Sequence, residues 1–179
     1  MNKSVRIAFC GMVTALGTVL MFLTGLISIG TYAFPALAGV LNIVIVIEMG
    51  VRWAWPVYTA TAVLSVLIAG DKEAALLFVL FFGYYPIIKA ILERIGKKAL
   101  TYFLKFAIFN AAMILGFFLA IHLLGVPEES FTLAGIYLPW VFLVLGNLVF
   151  LLYDYVISGL VVTYYHRFHR VVSKWMNVK

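Results

Sequence analysis

Charge is what this sequence has least of. Asp, Glu, Lys and Arg make up 11% of its 179 residues, 65% are hydrophobic, and the mean hydropathy is +1.12. Soluble globular chains carry about 25% charged and about 45–50% apolar residues, so water is not the solvent for most of this surface, and lipid is. Cysteine is nearly absent too. The single Cys10 sits in an apolar run, which excludes a disulfide framework and a CxxC metal site and leaves it as a small hydrophobe. The chain also lacks a GxxxxGK[ST] phosphate loop, HExxH, GxSxG and any paired-carboxylate arrangement. Nothing points to catalysis, a metal or a cofactor, and ATP-driven work would need another polypeptide.

What is present is a series of long apolar stretches. A hydrocarbon core of about 30 Å needs roughly 20 helical residues, and six stretches qualify, at about 5–28, 33–51, 54–70, 73–95, 102–125 and 136–165. The expected fold is therefore an all-α bundle of six transmembrane helices in one domain spanning 1–179. The basic N-terminus resembles a signal peptide, but its apolar run is too long for a cleaved h-region of roughly 7–15 residues and reads as a retained helix. Chemical punctuation sets the expected boundaries. Gly30 and Pro35 turn the chain into the second span, and Pro56 occupies the first turn of the third. Asp71 is placed to cap the fourth span, with Glu73 near its positive dipole end. Gly96 ends that span, and "GVPEES" makes the last outer turn.

The basic residues divide by side. With the N-terminus inside, Lys3, Arg6, Arg52, Lys89, Arg94, Lys97, Lys98, Lys105, Arg167, Arg170, Lys174 and Lys179 count to the cytoplasmic face, and only Lys72 of the 13 falls outside. This predicts a multi-pass protein of the cell membrane with both termini cytoplasmic. It also accounts for a pI near 9.5 without nucleic acid. Trp53, Trp55, Tyr164, Tyr165 and Trp175 then mark the inner interface, and Tyr32, Tyr137 and Trp140 the outer.

Polar side chains in lipid must face protein or a water-filled cavity, so each is either functional or interhelical glue. Glu48 and Arg52, four apart, are expected to pair, and Lys89 and Glu93 repeat the pattern with Lys97 a turn beyond, as a solvated inner end or a partner contact. Asn42, Asn110, Asn147 and Asp154 lie deeper. Asp154 could carry a proton or accept an interhelical hydrogen bond. Pro86, after Gly83, Tyr84 and Tyr85, should kink the fourth span and free carbonyls nearby. At the outer depth stand Thr31, Tyr32, Asp71, Lys72, Glu73, His122, Trp140 and Asn147, either lining a pocket with aromatic walls or simply solvating and capping helix ends. His166 and His169 sit beside two arginines, whose charge opposes a metal ion.

Three spans carry faces of small residues. Ala8, Gly11, Ala15 and Thr18 fall at spacings of three, four and three, Ala62, Ser65 and Ala69 form a second face, and Ala112, Gly116 and Ala120 a third. Such faces let backbones approach within lipid, either inside the bundle or against a partner.

The six-helix plan, the motif "GMVTA" with Gly11 and Ala15, and the stretches "GTYAFPALAGVL" and "DKEAALLFVLFFGYYPI" together resemble S components of the energy-coupling factor (ECF) transporters, Firmicutes-type members included. The resemblance covers essentially the whole chain. It implies docking of the first helix on a transmembrane T subunit driven by two cytoplasmic ATPases. In that family the helix-one motif is Ala-xxx-Ala; glycine at position 11 keeps the close approach. It further implies capture of a small, vitamin-like molecule on the extracellular side, carried by region onto Thr31, Tyr32, Asp71, Lys72, Glu73, His122, Trp140 and Asn147. The N-terminal His motif of nickel and cobalt members is missing, which disfavours a metal-ion substrate. Two other classes fit a small six-span chain: a non-transport scaffold resembling the rod-shape determinant MreD, and a proton-coupled carrier using Asp154. Signs of inverted repeats, which a carrier would favour, are lacking.

Overall fold

The computed structural model describes residues 3–27, 30–127, 132–133 and 136–175. Among them are six helical spans long and apolar enough to cross a bilayer: Lys3–Leu23, Gly30–Met49, Val51–Ile68, Lys72–Ile95, Lys98–Leu124 and Trp140–Arg167. The helices are α1 (Lys3–Leu23), α2 (Gly30–Met49), α3 (Val51–Ile68), α4 (Lys72–Leu77), α5 (Tyr85–Leu92), α6 (Lys98–His122), α7 (Pro139–Arg167) and the short α8 (His169–Trp175). A two-residue antiparallel pair, Thr132–Leu133 with Ile136–Tyr137, lies in the loop between α6 and α7. Glu128, Glu129 and Ser130 of the last outer turn, and Lys179, lie outside the described residues.

Two of the expected helix starts move. Gly30 and Pro35 lie inside α2 rather than ahead of it, and α3 begins at Val51, so Pro56 is well inside that helix. The cause of the second shift is Gly50. Its φ of 87° is one that side chains rarely tolerate, and it lets one residue end α2 and begin α3. Pro56 then removes only the bond to the Arg52 carbonyl, close to the helix end.

The fourth span is the axis of the bundle. Half of its apolar window is buried, against 11% for the fifth span and 17% for the sixth. Phe81 and Tyr85 pack with Ile43, Phe109, Phe150 and Ile157, and Phe109 stacks on Phe150 with centroids 4.7 Å apart. Ile87 joins Val13, Ile45, Ala54 and Val57, while Ala74 and Phe78 join Met21, Ala38 and Ala62. Every apolar cluster among the described residues thus includes this span.

That central span is broken, and Pro86 is the reason. Having no N–H, it cannot continue the helical ladder, and residues Phe78–Phe82 widen into a π turn before α5 restarts. The Gly83 N–H reaches back five residues to the Phe78 carbonyl (2.8 Å), so the Val79 carbonyl is left over. Tyr58 Oη donates to it at 2.7 Å. The Ile87 N–H turns to the Tyr84 carbonyl, leaving that of Gly83, and Asn42 Nδ2 donates there at 2.8 Å. The third freed carbonyl, Phe82, faces Gly39, where a Cβ would stand 2.1 Å from the oxygen. The buried Asn42 and the bare Gly39 of α2 are therefore both answers to one proline in another span, as backbone polar groups in lipid require.

Candidate functional site

Three groups of residues merit attention. The first is the outer set. Asp71 caps α4: its Oδ1 accepts from the N–H groups of Glu73 (2.9 Å) and Ala74 (3.1 Å). Its Oδ2 accepts from Thr31 Oγ1 at 2.7 Å, tying the start of α2 to the start of the fourth span. Lys72 Nζ donates to the Val66 carbonyl at the end of α3. Asn147 makes a reciprocal amide pair with Asn110 (2.9 and 3.0 Å), joining α6 to α7. Tyr32 and Trp140 are 67% and 71% exposed, Glu73 is exposed, and His122 Nδ1 lies 3.0 Å from the Phe118 carbonyl of its own helix. The structure thus brings Thr31 and Asp71 together. No hydrogen bond or ring contact among the described residues joins Tyr32, His122 or Trp140 to that pair.

The second is the small-residue face of α1. Ala8, Gly11 and Ala15 are exposed and Thr18 is half-buried, its hydroxyl donating to the Thr14 carbonyl. A Cβ built on Gly11 meets nothing within 4 Å. The inward face of α1 is a different one, Val13, Gly17 and Met21, with Gly17 set against the Thr61 side chain, where a Cβ would lie 3.1 Å from its methyl. Sequence spacing did not single out Gly17. The other small faces are covered: Ala62, Ser65 and Ala69 are all buried, Ala112 is buried, and Gly116 faces Leu80. Three faces that look alike in the sequence separate into two that hold the bundle and one that the chain leaves open.

The third is an ionic network inside the bundle, which sequence spacing placed elsewhere. Lys89 and Lys105 belong to the interior rather than to a solvated face; each side chain is 3% exposed. Asp154 Oδ1 accepts from Tyr85 Oη (2.6 Å) and from Lys89, and Lys105 Nζ reaches both carboxylate oxygens at 3.0 and 3.1 Å. Both lysines also approach Glu93 Oε1 at 2.8 Å. Four charges from α5, the turn after it, α6 and α7 thereby form a neutral set. The expected i,i+4 pair Lys89–Glu93 exists, but Asp154 turns it inward. Only the depth of Asp154 hinted at this, since burying a carboxylate demands cationic partners.

A parallel correction applies to Glu48. It pairs not with Arg52 but with α7 and α8, accepting from Tyr164 Oη at 2.8 Å and lying 3.0 Å from His169 Nδ1. His169 also stacks on Tyr165 of α7 at 4.9 Å, and its contact with Glu48 ties α8 to α2. Among the described residues no cluster of His, Cys, Asp and Glu could hold a metal ion.

No protein-family model, no curated protein and no solved structure matches this chain. What stands is a helical bundle whose six apolar spans mark a multi-pass membrane protein.

Proposed function

We propose that the chain is the solute-binding membrane subunit of an ATP-driven importer of the energy-coupling factor kind. In this reading it lies in the cell membrane with both termini cytoplasmic and docks through α1 on a T subunit that two cytoplasmic ATPases drive. The observation that carries it is the open face of Ala8, Gly11 and Ala15. Helix association in lipid depends on close backbone approach, and the chain covers its other small faces with its own side chains. Supporting this orientation are the exposed basic residues Arg52, Arg94, Lys97, Lys98, Arg167 and Arg170, set at the end of the bundle where α1 begins and α7 ends.

The solute is a small vitamin-like molecule taken at the opposite end. Asp71 has both oxygens engaged and acts as a strut for the rim. The exposed side chains of Tyr32, Glu73 and Trp140, which make no bond to that carboxylate, are the groups free to meet the solute. A proton carrier built on Asp154 is less well supported, because that carboxylate is already held by two lysines and a tyrosine.

The test is to replace Gly11 and Ala15 by leucine. Both variants should fold, lose co-purification with a T subunit and lose uptake in cells. Retention of both by the double variant overturns the reading.

A further inference from the structure

We propose that the inner end of the bundle holds a second binding site, for a carboxylate carried on a short apolar chain, in which Glu93 occupies the place of the ligand's head group. The site lies at the end opposite to Thr31 and Asp71 and stands independently of the importer reading.

A cavity of about 180 Å³ opens between α2, α5 and α7. Ile43 and Val46 wall one side and Ile157 and Val161 another, while Lys89 and Glu93 supply its charged edge. Such a volume equals about six water molecules at about 30 Å³ each, or a chain of a few carbons. Its lining is mostly apolar, which suits a hydrocarbon better than a file of water.

The charges decide what the head group must be. Lys89, Lys105 and Asp154 are 3%, 3% and 9% exposed at their side chains and carry a formal sum of +1. Glu93, the one partner among the described residues that neutralises this excess, is 48% exposed and lies in the short turn Glu93–Ile95 at the end of the span. Three members are locked inside and the fourth stands at the mouth. If Glu93 turns outward, two buried ammonium groups share one carboxylate, and a buried net charge demands a counterion. A ligand carboxylate can take that place with its chain along Ile43, Val46, Ile157 and Val161. A cation is repelled by the lysines, and a neutral alcohol leaves the excess charge unmet.

The probe is hexanoate, with hexanol and hexylamine as matched controls, titrated calorimetrically against the purified protein. Native protein should bind hexanoate weakly, because Glu93 competes. Glu93→Gln, which keeps the side-chain shape and removes its charge, should bind at least tenfold tighter, with no gain for hexanol or hexylamine. Adding Lys89→Met should abolish the gain. Oleate in nanodiscs serves as a second arm: a gain with oleate but not hexanoate assigns the acid to the bilayer, and a gain with hexanoate assigns it to water. An equal gain for hexanol, or no gain for either acid, overturns the proposal. Should Glu93→Gln fold poorly, saturating hexanoate must still raise the unfolding midpoint of native protein more than hexanol does, and failure there overturns it as well.

Discussion

Replacing Asp154 by asparagine leaves Lys89 and Lys105 buried with one carboxylate between them, and that carboxylate, on Glu93, is half exposed. Breaking a buried ion pair from one side typically costs 3–5 kcal/mol, since the remaining charge is stranded away from water. Glu93 still approaches both ammonium groups at 2.8 Å, so the low end applies, about 3 kcal/mol. The amide also keeps an acceptor for Tyr85 Oη, which separates loss of charge from loss of a hydrogen bond. Equilibrium unfolding in mixed micelles, followed by the fluorescence of the four tryptophans, measures the difference directly. The informative comparison is a triple variant, Lys89→Met, Lys105→Met and Asp154→Asn, which keeps the acceptor for Tyr85 Oη. Removing the whole buried set while keeping its volume should restore stability to within about 1–2 kcal/mol of the native protein or exceed it, because desolvation offsets much of what buried pairs contribute. Native-like stability of Asp154→Asn would refute the claim that this network is dry and mutually dependent. A triple variant even less stable than the single one would refute the claim that its role is electrostatic balance rather than shape.

Two further substitutions probe the packing. Gly39→Ala sets a methyl group 2.1 Å from the Phe82 carbonyl; separating α2 from the π turn should destabilise by at least about 2 kcal/mol, within the range of overpacked cores, and a neutral effect in the same unfolding assay would disprove the close approach. Gly17→Leu and Gly11→Leu form a matched pair on one helix: the first meets Thr61 and should lower stability by about 1–3 kcal/mol, whereas the second meets open space and should leave stability within about 0.5 kcal/mol while abolishing T-subunit co-purification. Equal destabilisation by the two would show that the Gly11 face also belongs to the fold.

Much of the architecture was legible because lipid leaves few solutions. Span number follows from apolar length alone, and Asp71 as a cap followed from residue type and position, as the bonds to Glu73 and Ala74 bear out. Pro86 likewise announced a break. What periodicity could not supply was the answering side of each contact. Nothing local to Asn42 or Gly39 says that they serve the carbonyls of Gly83 and Phe82, because that information lies in tertiary geometry. The same holds for Lys89. Its spacing to Glu93 pointed to an exposed i,i+4 pair, and only the packing of α5 against α6 and α7 brings Asp154 and Lys105 to it. Arg52 is the mirror case: its spacing to Glu48 was right for a pair, but Tyr164 and His169 meet that carboxylate first. The outer residues were grouped by depth, and depth alone does not fix which side chains meet; Thr31 and Asp71 do, whereas Asn147 turns to Asn110.

The open face of α1 differs from the bulky stretches of the other lipid-facing surfaces. α6 and α7 expose bulky residues, among them Phe103, Leu115, Phe118, Leu148, Leu152 and Tyr155. Large apolar side chains are the favoured contact with hydrocarbon, so those surfaces need no other explanation. On α1 the small stripe runs between ridges instead: Ile7 on one side and Met12, Leu16 and Val19 on the other, 62%, 53%, 51% and 55% exposed. Alanine and glycine between such ridges leave a strip of low relief, the kind of surface that lets a second helix bring its backbone close. Lipid chains gain little from that shape, whereas a helix gains contacts along its length. The bundle already uses this arrangement where Gly17 of α1 meets Thr61 of α3. Repeating small residues on the outward side of the same helix gives α1 two narrow faces, one filled by the chain itself and one that, in the proposed importer reading, takes the T-subunit helix.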